Sequence, residues 1–261
     1  MSSHNNKMPT CAYSADFAGR KPMRRTLGNT ARAIGAVLLG SAALICNVAS
    51  AAVTFDSLTP DVYNGGATFM ENGFMMTVQD SPAGAGFAGA IVNPADAFSC
   101  AIIGCPTGNT TQYFAGLNDG GIGFSRADHV GFKLTSLDFA FVIPVAQPVV
   151  GSVGRLQISG VSQATGGVFQ TSIDFPQQIN GQYAFSNWTL ASRFSNVVFS
   201  QLSISACIYD TDGGCYRPAE NLAQFAIDNL NIAPVPEPSA AVMLALGLFG
   251  FAFVARRRRA D

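Results

Sequence analysis

Between residues 52 and 234, apolar side chains recur at every second position in short runs, separated by Gly, Asn, Asp and Ser. Near each end of the chain they come instead as one unbroken block. Alternation over roughly four to eight residues marks a half-buried strand, because successive side chains point to opposite faces of a sheet. The pattern predicts strands near 53–55, 74–78, 89–92, 113–117, 122–125, 132–143, 155–159, 168–175, 183–190, 197–208 and 225–232. The second follows a turn at Glu71-Asn72-Gly73. Two of the longer runs slip out of phase once. Leu134, Leu137, Phe139 and Phe141 break step at Ser136-Leu137, and Val197, Phe199, Leu202, Ile204 and Ala206 do the same, as a bulge or bend requires. Strands at this spacing, with no internal repeat and no dividing linker, predict one all-β domain over 52–234, an antiparallel β-sandwich.

The two apolar blocks have a different logic. Lys21, Arg24, Arg25 and Arg32 precede an uncharged stretch at 33–48, and Ala49-Ser50-Ala51 then offers small residues in the small-x-small pattern. A basic segment, an apolar segment and such a site make a secretory signal peptide over 1–51, a substrate for the secretion machinery and signal peptidase. An uncleaved N-terminal anchor is the alternative. The basic segment is long, and Met23 begins a signal of ordinary proportions. At the other end, 239–255 is free of charge and is followed by Arg256, Arg257, Arg258 and Arg259. At about 1.5 Å per residue a helix over 239–255 reaches roughly 26 Å, slightly less than a bilayer core. The arginines stay cytoplasmic by the positive-inside rule, so the domain lies across the membrane from them.

Val235-Pro236-Glu237-Pro238, the apolar segment 239–255 and the arginine cluster 256–259 together resemble the PEP-CTERM sorting signal over 235–261. The matching residues are Pro236, Glu237, Pro238 and the four arginines; the prolines keep the segment before the helix extended. The resemblance implies export to the surface or extracellular matrix of a bacterium with a Gram-negative-type envelope. It also implies transient membrane insertion through the tail and processing by an exosortase in cells that make extracellular polysaccharide. A permanent single-span anchor is the competing reading of the same residues.

Charge and composition narrow the middle of the chain. Residues 52–234 hold five Lys and Arg against thirteen Asp and Glu, a formal charge of −8, although the whole chain reads −1. So acidic a domain repels phosphate backbones, which excludes nucleic acid as a partner. Four cysteines remain beyond the signal, an even number in an oxidising compartment. Cys100 with Cys105 and Cys207 with Cys215 each close a short loop containing glycine, so disulfides 100–105 and 207–215 are expected to rigidify two hairpin-like loops. A four-thiolate zinc site is the rival, and it lacks the usual C-x2-C spacing.

Catalytic patterns are missing. His129 is the one histidine in 52–234, set in the polar turn Arg126-Ala127-Asp128-His129, and no G-x-S-x-G, P-loop or H-E-x-x-H occurs. Paired carboxylates for glycoside hydrolysis can come from distant strands, but Glu is limited to Glu71 and Glu220 in the domain. Asp210-Thr211-Asp212-Gly213-Gly214 lacks the later ligands of a calcium loop and reads as a turn.

The opening Thr54-Phe55-Asp56-Ser57-Leu58 and the closing Phe225-Ala226-Ile227-Asp228-Asn229-Leu230 are similar to the terminal strands of lectin-like jelly rolls, including MAM-type domains. The resemblance implies that the two strands lie side by side. It also implies that acidic residues on them, here Asp56 and Asp228, hold a structural cation such as Ca²⁺; no other cofactor is required. For a jelly roll among polysaccharide producers, glycan binding is the natural expectation. Trp188, Tyr209 and Tyr216 are the candidate contacts, Trp188 also being suited to the core. Three function classes follow: a non-enzymatic surface or matrix protein that binds exopolysaccharide, a purely structural matrix protein, and a secreted carbohydrate-active enzyme.

Overall fold

The computed structural model describes residues 51–81, 86–143, 151–216 and 222–235, together with 247–248. Residues 1–50 of the signal segment, Pro236, Glu237, Pro238 and the four terminal arginines lie outside the described residues. Among the described residues no helix is long and apolar enough to cross a membrane; nearly all of the tail segment 239–255 falls outside them.

In chain order the strands are β1 (Ala51–Val53), β2 (Asp61–Tyr63), β3 (Thr68–Glu71), β4 (Phe74–Gln79), β5 (Gly89–Val92), β6 (Tyr113–Gly116), β7 (Gly121–Arg126) and β8 (Phe132–Phe141). They continue as β9 (Gly154–Ser162), β10 (Val168–Asp174), β11 (Ser186–Thr189), β12 (Phe199–Tyr209), β13 (Cys215–Tyr216) and β14 (Phe225–Pro234). Two short helices, α1 (Ala97–Ile103) and α2 (Ser192–Ser195), interrupt them. The order β2-β5-β6-β14-β8 forms a front layer, with β1 beside β14 and β11 beside β8. The order β3-β4-β7-β12-β9-β10 forms a back layer, with β13 beside β12. Every strand pair is antiparallel, and the layers join through one register pair, Phe199 with Phe132. The fold is thus the expected antiparallel β-sandwich, a single sheet curled on itself.

Alternation explains which side of each strand faces inward. Along β9, Leu156 and Ile158 are buried while Arg155, Gln157 and Ser159 look outward. The core between the layers is aromatic: Phe74 meets Phe132 edge-on at 5.3 Å, and Phe141 packs on Tyr183 at 5.0 Å and on Phe175 at 5.3 Å. The two phase slips in the sequence are register shifts in the sheet. The β14–β8 ladder shifts between Asp228 and Ile232, opposite Asp138, Ser136 and Leu134, where Asn229 adopts a φ of 50°. The β12–β9 ladder shifts between Phe199 and Gln201. A bulge keeps the apolar set inward on both sides of the slip.

The terminal strands pair as the jelly-roll resemblance implied, Ala51 with Ile232 and Val53 with Leu230. What fixes the chain after β1 is Glu71, only 6% exposed. Its Oε2 accepts the N–H of Thr54 at 3.0 Å and of Phe55 at 2.9 Å, and its Oε1 accepts the Ser57 hydroxyl at 2.9 Å. Phe55 has a φ of 58°, a costly conformation for a bulky residue, while its ring is fully buried. The turned backbone aims consecutive N–H groups at one point, and the carboxylate occupies it.

The two outer faces of the sandwich differ. On the front layer, Ala90, Tyr113, Ala115, Ala140 and Ala226 form a second apolar cluster packed by Cys105, Leu117 and Phe185. Small alanine side chains let a strap lie close to the sheet, and the strap is tied by Thr107 N–H to Tyr183 O at 2.8 Å and Phe185 N–H to Thr107 O at 2.9 Å. Both expected disulfides are present, with Cα separations of 4.8 Å for Cys100–Cys105 and 5.5 Å for Cys207–Cys215. One detail is corrected. Cys100 lies within α1, capped by Asp96 at its start and by Gly104 (φ 68°) at its end, so that bridge closes a helix end rather than a hairpin. The run 97–103 is too short for a helical period to be legible. The Cys207–Cys215 bridge does close a hairpin, β12 to β13.

Replacing Glu71 with Ala would leave the buried Phe55 N–H and the partly buried donors of Thr54 and Ser57 unpaired, a loss of about 3 kcal/mol. We expect a fall in melting temperature of roughly 6–12 °C, readable by circular dichroism. Glu71→Gln, which turns one acceptor into a donor against the same N–H groups, is expected to fall between. Melting curves unchanged in Glu71→Ala would refute the clasp.

Candidate binding face and carboxylate pair

Among the described residues, the outer face of the back layer has no such cover. Its outward residues come from strands whose alternate positions are Ser, Gln, Thr or Gly, so register pairing sets them in rows. One row runs Ser172, Gln157, Ser205, Gly121 and Gln79, and the next runs Gln170, Ser159, Ser203, Gly123 and Thr77. Two adjoining depressions of about 450 and 370 Å³ follow these rows and share Ser159 and Ser203. Across β10, β9, β12, β7 and β4 the trough runs roughly 19 Å at ordinary strand spacing.

The middle of the trough depends on two glycines. A Cβ on Gly123 would stand 3.0 Å from Gln79 Nε2, and one on Gly121 would stand 3.2 Å from Gln79 Oε1 and 2.8 Å from the Ile204 carbonyl. The Gln79 side chain therefore lies flat over β7 and accepts the Ser203 hydroxyl at 2.6 Å. Among the residues lining both depressions, Arg193 alone is charged. On a domain whose sequence carries −8, this face presents hydroxyls and amides.

Tyr209 stands at one end of this face. The Arg155 guanidinium covers its ring at 5.0 Å and donates to its hydroxyl at 2.9 Å, and that hydroxyl donates to Asp174. Burial, then the bond to Asp174, raises the Tyr209 pKa above its ordinary value. The phenol is a fixed wall with one face occupied. Trp188 is corrected outright as an exposed contact: it is 9% exposed and packs against Phe139 at 6.1 Å. Its place on β11, opposite Leu137, turns the indole into the core. Tyr216 pairs through its backbone with Ile208, and its side chain lies outside the described residues. The trough itself went unread in the sequence because Ser-x-Ser and Gln-x-Ser at outward positions look like any solvated face. The usable signal was Gly121-x-Gly123 in a strand whose neighbours carry Gln and Ser.

Asp56 and Asp228 lie near enough on the front layer for the charge of one to act on the other, Asp228 buried and Asp56 exposed. Asp228 is fully buried; its Oδ2 accepts Asn109 Nδ2 and Thr111 Oγ1, each at 2.8 Å, and its Oδ1 accepts the Asn229 N–H at 2.7 Å. Asp56 Oδ1 accepts the Gln112 N–H at 3.0 Å, and the Asp56 carbonyl accepts Gln112 Nε2 at 2.9 Å. Gln112 Oε1 is buried without a hydrogen-bond partner. Burial foremost, with the Asp56 charge adding to it, pushes the Asp228 pKa up to about 6 despite the three bonds that oppose the shift. Two carboxylates and an orphan amide oxygen make an oxygen-only donor set that suits a hard cation of the Ca²⁺ type. Among the described residues no group of three or more His, Cys, Asp or Glu could hold a metal, so neutral oxygens would have to complete the shell.

Other candidates fall into place. Asp210 Oδ1 accepts the N–H groups of Asp212 at 3.0 Å and Gly214 at 2.6 Å, so this carboxylate closes its own turn, as expected. His129 sits exposed in a turn with φ 59°.

Since the folded-state pKa of Asp228 lies above its unfolded value, the folded state holds this proton more tightly. Stability then falls as pH rises from about 4 through about 6. In the presence of a chelator the protein is expected to melt higher at pH 5 than at pH 7.5. The lowered pKa values of Asp96 and Asp128 keep those groups out of this window. Asp228→Asn should lose the pH dependence; an unaltered profile in that variant would contradict the assignment.

Comparison with solved structures gives distant likenesses. The CBM61 module in complex with β-1,4-galactotriose is 8% identical, with 61% of this chain and 88% of that one covered and a TM-score of 0.31. The CBM28 module specific for non-crystalline cellulose is 12% identical, with 67% and 99% covered and a TM-score of 0.36. A DUF4465 family protein from Bacteroides ovatus is 10% identical, with 68% and 95% covered and a TM-score of 0.35. At such scores the likenesses carry no argument about ligands. No curated protein matches the chain. Residues 234–259, however, match the model of the PEP-CTERM protein-sorting motif, so the chain carries a PEP-CTERM sorting motif, which implies export and processing at the C-terminus.

Proposed function

We propose that this exported protein is a non-enzymatic component of the cell surface or extracellular matrix that holds an extended, uncharged stretch of exopolysaccharide in the back-layer trough. One observation carries the reading: among the described residues, the two depressions on this sheet face of an acidic domain are lined mainly by Ser, Gln and Thr, with Met75 and Val161 beside them and Arg193 as the one charged lining residue. Ser hydroxyls donate and accept, and Gln amides do both at once, which matches the hydrogen-bonding repertoire of sugar hydroxyls. Uncharged donors and acceptors bind a neutral polymer without the desolvation cost of a buried ion. A trough roughly 19 Å long suits a chain rather than a single sugar.

Asp138 and Asp228 are register partners on β8 and β14, and the Asp56 charge acts on Asp228; none of the three lines the trough, which speaks for binding over hydrolysis. We take the role of Asp56 and Asp228 to be structural: a Ca²⁺-type ion held by both and by the Gln112 amide oxygen would tie the opening loop to the closing strand. The membrane-inserted tail, the exosortase and the signal peptidase belong to the route by which the domain reaches the surface.

Two measurements test this reading. Titration of the exported protein with the producer's own polysaccharide should show binding that Ser159→Leu, which fills the junction of the two depressions, weakens by roughly tenfold or more; equal binding by the variant, or none by the parent, favours a purely structural matrix protein. Separately, about 1 mM Ca²⁺, the working range of extracellular sites, should raise the melting temperature at pH 7.5, and Asp228→Ala should abolish the rise. No response to calcium or chelator removes the cation from the picture.

A further inference from the structure

Among the described residues six strands have a neighbour on one side only: β1, β2, β3, β10, β11 and β13. Five of them are two to four residues long, whereas β10 runs for seven. Natural sheets blunt long edges with lysine, proline or a bulge. β10 reads Val-Phe-Gln-Thr-Ser-Ile-Asp, has none of these, and pairs with β9 in unbroken register. Val168 is 64% exposed and Phe169 39%.

Antiparallel pairs alternate between bonded and non-bonded positions. The bond from Phe175 N–H to Gly154 O at 3.0 Å fixes the phase. It follows that Phe169, Thr171 and Ile173 bond to β9, while Val168, Gln170, Ser172 and Asp174 direct their backbone groups off the edge. Among the described residues none of these four N–H groups meets a backbone partner beyond the β9 ladder.

We propose that β10 pairs antiparallel with β10 of a second copy of this chain, about a two-fold axis through Thr171. In that register Gln170 meets the partner's Ser172, Val168 meets Asp174, and every outward N–H and C=O between them finds a mate. On the other face Phe169 meets Ile173, a non-bonded pair whose side chains approach closely. The one charge on the strand faces valine rather than its own image, and it keeps its contact with Arg155 at 3.6 Å. Because Gln170 and Ser172 also line the trough, the seam joins two troughs end to end across one continuous sheet. The joined trough rests on the polymer-binding reading; the pairing does not.

Sedimentation velocity on the processed, exported protein over roughly 1–100 μM reads the assembly. A concentration-dependent dimer is expected. Ser172→Pro deletes one outward N–H without touching the β9 ladder, and Phe169→Glu destroys the Phe169–Ile173 contact; each should weaken the dimer by about tenfold or more. A monomer throughout the range, or a dimer that neither variant weakens, overturns the pairing. Polysaccharide binding measured on the same samples separates the two ideas: a dimer without binding removes the trough reading alone, and a binding monomer removes the pairing alone.

Discussion

A buried carboxylate holds the domain's opening in place, and the cost of burying it is met entirely by backbone and hydroxyl donors. Glu71 stands on β3 of the back layer, yet its bonds go to Thr54, Phe55 and Ser57, at the point where the chain leaves the front layer. Desolvating an ion is unfavourable unless its hydrogen-bonding capacity is filled. Here the filling requires Phe55 to turn into a left-handed conformation, and the turn buries its ring. Asp56 lies between two residues tied to Glu71, so its position relative to Asp228 follows from the same clasp. The β1–β14 pairing, the carboxylate pair and the closure of the two layers are therefore linked through one side chain.

The two outer faces then diverge through side-chain volume. Alanines at Ala90, Ala115, Ala140 and Ala226 admit a covering strap close to the front layer. On the back layer, glycines at Gly121 and Gly123 admit only the Gln79 amide, and the remaining outward residues are small and polar. A strap needs apolar surface beneath it to be worth ordering its backbone. The described residues of the back layer offer little in its centre, and none of them covers it. The asymmetry is chemical, because both layers share the same pleat.

Much of this was legible before the structure. The two slips in alternation located real bulges, because a strand that must keep one face in the core can absorb an extra residue only there. Cysteine spacing gave both bridges, since short loops with glycine leave few other partners within reach. The likeness of the Phe-Asp opening and the Ile-Asp closing to the terminal strands of jelly rolls implied that these strands lie side by side, as they do. Less was readable where a residue's role depends on a distant partner. Glu71 looked like part of a turn, although its carboxylate reaches seventeen residues back to Thr54. Trp188 and Tyr209 shared an aromatic character that could not reveal which ring would be buried and which pinned beneath an arginine. Strands as short as β2 and a helix as short as α1 carry too few periods to register.

The pairing of Ala51 with Ile232 has a mechanical meaning. Any pull arriving through residues beyond Val235 enters the fold at the end of β14, where β1 flanks it on one side and β8 on the other. Tension along that strand shears two ladders at once instead of peeling one bond after another. A load applied through the tail would be spread at its entry point over both neighbouring strands, and through the β8–β12 junction into the layer that carries the trough.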